Sequence, residues 1–427
     1  MPGEYDPAEE LGLFPDRILV TNLCGFVLQN DPLRDVCARF IRNGAHFYDV
    51  VKRYDHLTAY VLGREEATAG NTAKWVIPFL KANGATDHLL KKAYEETLRF
   101  MPGSEDALRF ISRMLPTFVS TSIYNHGWMT VADRVDAPLC EVFCSQTDLD
   151  HMQFGRADAR RIREMCETVT SLRIPKVEYE LNVPMEIDEW DVKIIRTLDD
   201  ILQNQIPELP AMSLMESSVP VTSHRKAYQL LDIRKQTNID LDCTMYIGGD
   251  DTDYQCLDLV RDAGGAAVSF NGTDFAVRGC NIAIMSKEST VGAVFASLFY
   301  DRGIEAMMDL ASNWERPYLK KCEFSDRNLL DRMLVANPRR LPEVHVVDRH
   351  NVDEVAKRSA EFRRKMMLGR RCGRFEDMVL RTGFEPVCRP RKGRMIGRYT
   401  TGASEGHRNR INKPSCDGGP GLKTLFK

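Results

Sequence analysis

The sequence predicts an α/β fold with a parallel sheet at its centre. Two observations predict it: short aliphatic or β-branched runs end in polar, glycine-bearing turns, and helical stretches separate one run from the next. The 427 residues are 43% hydrophobic and 28% charged, about three domains' worth of material at roughly 150 residues each. Enough apolar side chains are present for a sizeable core, which excludes a disordered, collagen-like or small disulfide-framework protein.

Residues 17–29 (RILVTNLCGFVLQ) read as a buried strand running into a polar turn. Residues 31–100 read as helices, with Leu33, Val36, Cys37 and Phe40 at helical spacing and again Val76, Phe79 and Leu80. At 101–111 the pair Pro102-Gly103 makes a turn, Ser104 is placed to cap, and Ala107, Leu108 and Ile111 begin an apolar face. Residues 117–122 (TFVSTS) have the bias of a second strand. Further on, a helix is expected from Arg156 to about Leu172, another from Ser223, and strands at 243–248, 266–270 and 281–285. In such a sheet, ligands sit beyond the carboxyl ends of the strands.

The expected organisation is a three-layer core from 15–30 and 100–300, a helical cap at 31–100, and a second α+β insertion at 145–220. A helical extension follows at 301–368 and a basic flexible tail at 369–427. The tail carries 14 Lys+Arg against 5 Asp+Glu, a net of +9 against −12 for the remainder. Such a tail reads first as solvated, and second as a contact for nucleic acid, anionic lipid or an acidic partner.

Twelve cysteines are scattered without a C-x-x-C pair, which argues for buried thiols in a reducing compartment and against metal or disulfide frameworks. The low-polarity stretches 18–28 and 291–299 are shorter than the ~20 residues a membrane span needs. The acidic amino terminus lacks the pattern of a secretory signal, so a cytoplasmic location is expected.

Four elements stand in chain order: Asn22-Leu-Cys-Gly after the first strand, Ser120-Thr121 after the second, Lys226 near a helix start, and Gly248-Gly-Asp-Asp-Thr-Asp after a later strand. This order resembles the four motifs of the haloacid-dehalogenase-like (HAD) phosphohydrolase superfamily, over roughly residues 17–300. The resemblance implies a Rossmann-like three-layer core with a cap. It also implies an anion held by Ser120 or Thr121 with Lys226, and Mg²⁺ on Asp250, Asp251 and Asp253. Asn43-Gly44, Arg53-Tyr54-Asp55, residues 78–86 and residues 259–272 look more narrowly like the archaeal energy-converting hydrogenase A subunit R group. That likeness implies an association with a hydrogenase system.

The departures from the pattern bear on mechanism. Asn22 stands at the nucleophile position, where an amide cannot attack phosphorus as a carboxylate does. Cys24 stands at the acid/base position, where a thiol is a poor acid for oxygen and a soft ligand for Mg²⁺. Cys24 reads as a buried neutral thiol, or alternatively as a reactive thiol beside loop amides. Aligning Asp253 with the last acid of the fourth motif leaves Gly249 at the first, unless a bulge restores Asp250. The site therefore reads as a catalytically impaired phosphatase remnant that binds a phosphorylated or other anionic small molecule, or acts as an accessory protein. The alternatives are a working Mg²⁺-dependent phosphatase rebuilt on Asp250, Asp251 and Asp253, or an interaction protein acting through the tail. His46 and His56 lie in the expected cap, where they either face a ligand or are ordinary satisfied histidines.

Overall fold

A computed structural model describes residues 16–64, 67–151, 153–177, 187–322 and 326–367. These belong to one compact unit, residues 1–394. The basic segment from 369 lies outside the described residues, as does part of the acidic stretch of the second insertion.

Seven strands form one sheet: β1 (Ile18–Thr21), β2 (Thr117–Tyr124), β3 (Glu141–Ser145), β4 (Thr244–Gly248), β5 (Ala266–Phe270), β6 (Ile282–Met285) and β7 (Glu343–Val346). Their order is β3-β2-β1-β4-β5-β6-β7. All neighbours are parallel except β6 and β7. β1 is buried throughout because each face of the sheet meets an apolar layer. Leu19 packs with Val119, Met245 and Ile247 on one side, while Ile18 and Val20 pack with Phe118 and Tyr246 on the other.

The sequence reading differs from the structure at two places. β7 interrupts what reads as a purely helical extension over 301–368, because its four residues are too few and too polar to show a period. Gly103, in the left-handed region at φ 73°, takes the N-cap place of helix 104–114, and the Ser104 hydroxyl is buried without a partner.

Four helices position the site: α1 (Gly44–His56), α2 (Arg156–Ser171), α3 (Ser223–Thr237) and α4 (Val352–Met367). The helices of residues 32–97 and the described helices of 156–217 share one apolar cluster. Val50, Val51 and Tyr54 of α1 pack there with Ile162 and Met165 of α2 and with Ile195 and Leu198. The two insertions thus build a common cap.

Candidate functional site

Parallel pairing brings the carboxyl ends of β1, β2 and β4 to one edge of the sheet, beneath α1. The loop after β1 closes tightly. Gly25 has φ 95°, and a side chain there would meet the Phe270 carbonyl at 2.4 Å. Gly249 is confined in the same way, between the carbonyls of Phe270 and Cys24. Only glycine lets these two loops approach each other and form the floor of the crevice.

Asp253 is the hub of that floor and is completely buried. Its Oδ2 accepts from Asn22 Nδ2, from Gly249 N and from Asp250 N, each at 2.8 Å. Its Oδ1 accepts from Lys226 Nζ at 2.7 Å and from the Tyr246 hydroxyl at 2.8 Å. Lys226 projects from the first turn of α3 and is likewise fully buried. Five donors exceed the roughly four lone-pair sites of a carboxylate, so Asp253 has none left for a further ligand. Asn22 is equally committed, since its Oδ1 accepts from Leu23 N at 2.7 Å.

The neighbouring acids are engaged elsewhere. Asp250 caps the short turn Asp251–Asp253 and lies 3.3 Å from Lys52 of α1 and 3.9 Å from Arg363 of α4. Burial alone would raise its carboxyl, but the charges of Lys52 and Arg363 hold it below the usual range. Asp251 meets His56 Nδ1 at 3.3 Å. Burial opposes its ionisation, yet that hydrogen bond and charge bring its carboxyl well below the ordinary value. Lys52 also reaches Asp31 at 2.9 Å. Burial works against its charge, but Asp250 and Asp31 together raise its ammonium well above the usual lysine range.

This arrangement does not fit Mg²⁺, which needs several oxygens converging in a near-ideal octahedron. Asp250 faces Lys52, Asp251 faces the His56 ring and Asp253 faces Lys226, so the three carboxylates turn to different side chains. Among the described residues, no group of three or more His, Cys, Asp or Glu side chains is placed to hold a metal ion.

The other expected residues scatter. Ser120 donates to Gln229 of α3 at 2.8 Å, and the Thr121 hydroxyl is buried without a partner. Neither lines the crevice. β2 runs past β1, so the serine that reaches the crevice wall is Ser122, two residues further along the same face, 3.5 Å from Thr252. Cys24 does line the crevice, but burial, reinforced by Asp250 and Asp31, pushes its thiol up to about 12. It is therefore a neutral wall group at ordinary pH. His56 faces the crevice, whereas His46 is hydrogen-bonded to the Leu172 carbonyl at 2.8 Å.

Above this floor a cavity of about 50 Å³ separates core from cap. Cys24, Ser122, Asp250 and Asp251 line it from below, and Asp31, Tyr48, Lys52, Asp55 and His56 from above. Asp55 is 3% exposed. Its Oδ2 accepts from Gly70 N, Thr72 N and the Thr72 hydroxyl, at 2.9, 2.9 and 2.7 Å. Its Oδ1 has no partner. The sequence reading missed Lys52, Asp55 as a site residue, Ser122, Tyr246 and Arg363. A signal existed for part of the set: Tyr48, Lys52, Asp55 and His56 recur at three- and four-residue spacing, a polar stripe on one helix face.

The fold and crevice define an α/β protein with a helical cap over the carboxyl edge of a mostly parallel sheet. No family profile matches the chain, and no curated protein matches it. Its fold is similar to that of a gene product of Archaeoglobus fulgidus, with a TM-score of 0.65 and 20% identity over 82% of this chain and 97% of the other. Weaker similarities include a phospho-aspartyl intermediate analogue of phosphoserine phosphatase, with a TM-score of 0.36 and 10% identity over 64% of this chain and 95% of that one. A HAD family hydrolase from Salmonella enterica serovar Typhi has a TM-score of 0.38 and 10% identity, covering 63% and 67%. No described helix is long and apolar enough to cross a membrane.

Proposed function

We propose that this chain is a relative of the HAD phosphohydrolases that has lost covalent phosphoryl transfer and uses its cap–core crevice for binding, as a small-molecule or accessory protein. The observation that carries this reading is the amide of Asn22. It stands where the resemblance puts the attacking carboxylate, and it acts as a hydrogen-bond donor to Asp253. The amide's nitrogen pair is delocalised into its carbonyl and its Oδ1 accepts from Leu23 N, so neither atom attacks phosphorus as a carboxylate oxygen does. Lys226, which the resemblance assigns to a phosphoryl group, neutralises Asp253 instead. A rebuilt metal-dependent site would need Asp250, Asp251 and Asp253 to converge, and their separate partners oppose that. The likeness to the archaeal hydrogenase subunit group adds the expectation of a protein partner in such a system.

The test is incubation of the purified full chain with an aryl phosphate and Mg²⁺, followed by mass spectrometry for an acyl-phosphate adduct. The expected result is neither turnover nor adduct. Phosphate release that is abolished by Asp253→Ala, or a trapped adduct on any carboxylate, overturns the reading.

A further inference from the structure

We propose that the outer face of α3 is a self-complementary interface through which two copies of this chain associate as a two-fold dimer. The inner face of the helix is fully used: Lys226, Leu230 and Ile233 are buried, and the last two pack in the cluster of Phe118 and Tyr246. The outer face is not. Tyr228 is 70% exposed and Leu231 38%, an aromatic and an aliphatic side chain one turn apart and open to solvent.

Charge selects the occupant. Arg225, Tyr228 and Asp232 recur at three- and four-residue spacing, so they form one stripe along the helix. Among the described residues no side chain of opposite charge lies within ion-pair distance of Arg225 or Asp232, whereas Arg234, on the far side of the helix, holds Asp240 at 2.7 Å. Asp232 instead has an acid near it. The Glu141 carboxyl, at the start of β3, is raised by desolvation and by the charge of Asp232.

In an antiparallel pair of α3 helices related by a two-fold axis between Tyr228 and Gln229, Arg225 of each copy comes opposite Asp232 and Glu141 of the other. The two tyrosines flank the axis, and Tyr and Arg are side chains that contribute strongly to association. Any other partner must offer an acid, an apolar centre and a base in that sequence. A second α3, running the opposite way, carries it already.

The neighbouring strand edge is a poorer contact. β3 ends the sheet, but Gln146 at its carboxyl end is paired with Val219, N to O at 3.0 and 2.9 Å, so a second β3 has no full edge to join. The 15 residues of α3 span about 22 Å. That is a small patch against the roughly 800 Å² per partner of a standard interface, so the dimer is weak and forms as concentration rises. Lys226 turns inward to Asp253 and Gln229 to Ser120, so the contact leaves the crevice floor as it is.

The experiment is sedimentation equilibrium of the full chain, from low micromolar to several hundred micromolar, at fixed ionic strength. The wild-type chain is expected to pass reversibly from monomer to dimer. Arg225→Asp sets acids against each other across the axis and should weaken association roughly tenfold or more. The double variant Arg225→Asp, Asp232→Arg restores opposite charges in the reverse sense and should recover most of the dimer. Both positions are exposed, and an acid in the first turn suits the helix dipole, so the double variant is expected to fold. A wild-type chain that stays monomeric throughout, a dimer that Arg225→Asp leaves unchanged, or one that the double variant fails to restore overturns the proposal.

Discussion

Asn22 Nδ2 and Asp253 Oδ2 are 2.8 Å apart at the buried floor of the crevice, an amide donor against a carboxylate acceptor. Introducing a carboxylate by Asn22→Asp would set two acids against each other beside Lys226, whose buried ammonium is already paired with Asp253. The expected outcome is a loss of roughly 2–4 kcal/mol at neutral pH rather than a gain of phosphatase activity. The introduced carboxyl is raised by its neighbour, so the loss should shrink as pH falls and that group takes up a proton. Urea denaturation at pH 7.5 and pH 5 measures this. A variant as stable as the parent at pH 7.5 would contradict it.

Lys226→Met removes one partner of a fully buried pair and leaves Asp253 with its charge but without its cation. Loss of one member of such a pair typically costs about 3–5 kcal/mol. The double variant Lys226→Met, Asp253→Leu should recover part of that loss, because it removes the stranded charge. Equilibrium unfolding of the two variants checks the order.

Mg²⁺ and its removal should leave the fold unaffected. Asp253 already receives five donors, Asp250 is paired with Lys52 and Asp251 with the His56 ring. Thermal unfolding in EDTA and in millimolar Mg²⁺ should agree within about 1 °C. A rise of several degrees with Mg²⁺ would reveal a metal site that this geometry does not contain.

The sheet was legible because each parallel strand is an apolar run buried on both faces, as with Ile18-Leu-Val and Ala266-Ala-Val. β7 was not, because an antiparallel edge strand of Glu-Val-His-Val has one solvated face and no length. The chain order of Asn22, Lys226 and Asp253 was also readable, and these three do meet. Their partners were not. Lys52 and Arg363 come from helices about 200 and 110 residues away from Asp250 in sequence, and only tertiary packing brings such charges together. Ser122 was missed in favour of Ser120 and Thr121 because a strand's length beyond its neighbour cannot be read from its own residues.

Arg363 ties α4 to the crevice floor. Its guanidinium is 5% exposed and donates to the Asn271 carbonyl at 2.9 Å while facing Asp250. Arg363→Met keeps much of the packing but removes the donor and the charge, at an expected cost of about 1–3 kcal/mol. Asp250 would then lose one of the cations holding its carboxyl down. Hydrogen exchange should show faster opening of residues 352–367, with little change in β1 and β4. Uniform acceleration across the sheet would argue against a local tether.

Asp55 offers a prediction whose sign follows from its burial. Burial raises its carboxyl from 3.8 to about 6, although the hydrogen bonds from Thr72 and Gly70 and the charge of His56 work in the other direction. A raised carboxyl means that the folded state holds the proton more tightly than the unfolded one. Its favourable contribution is therefore complete below about pH 4 and is lost as pH rises through about 6. At neutral pH the buried anion costs on the order of 3 kcal/mol, at 1.36 kcal/mol per unit. Asp55→Asn keeps an oxygen for the three donors and places an NH₂ where Oδ1 has no partner. The variant should be more stable than the parent at pH 7.5 by up to that amount, with the difference vanishing near pH 4. A less stable Asp55→Asn at pH 7.5 would contradict this sign.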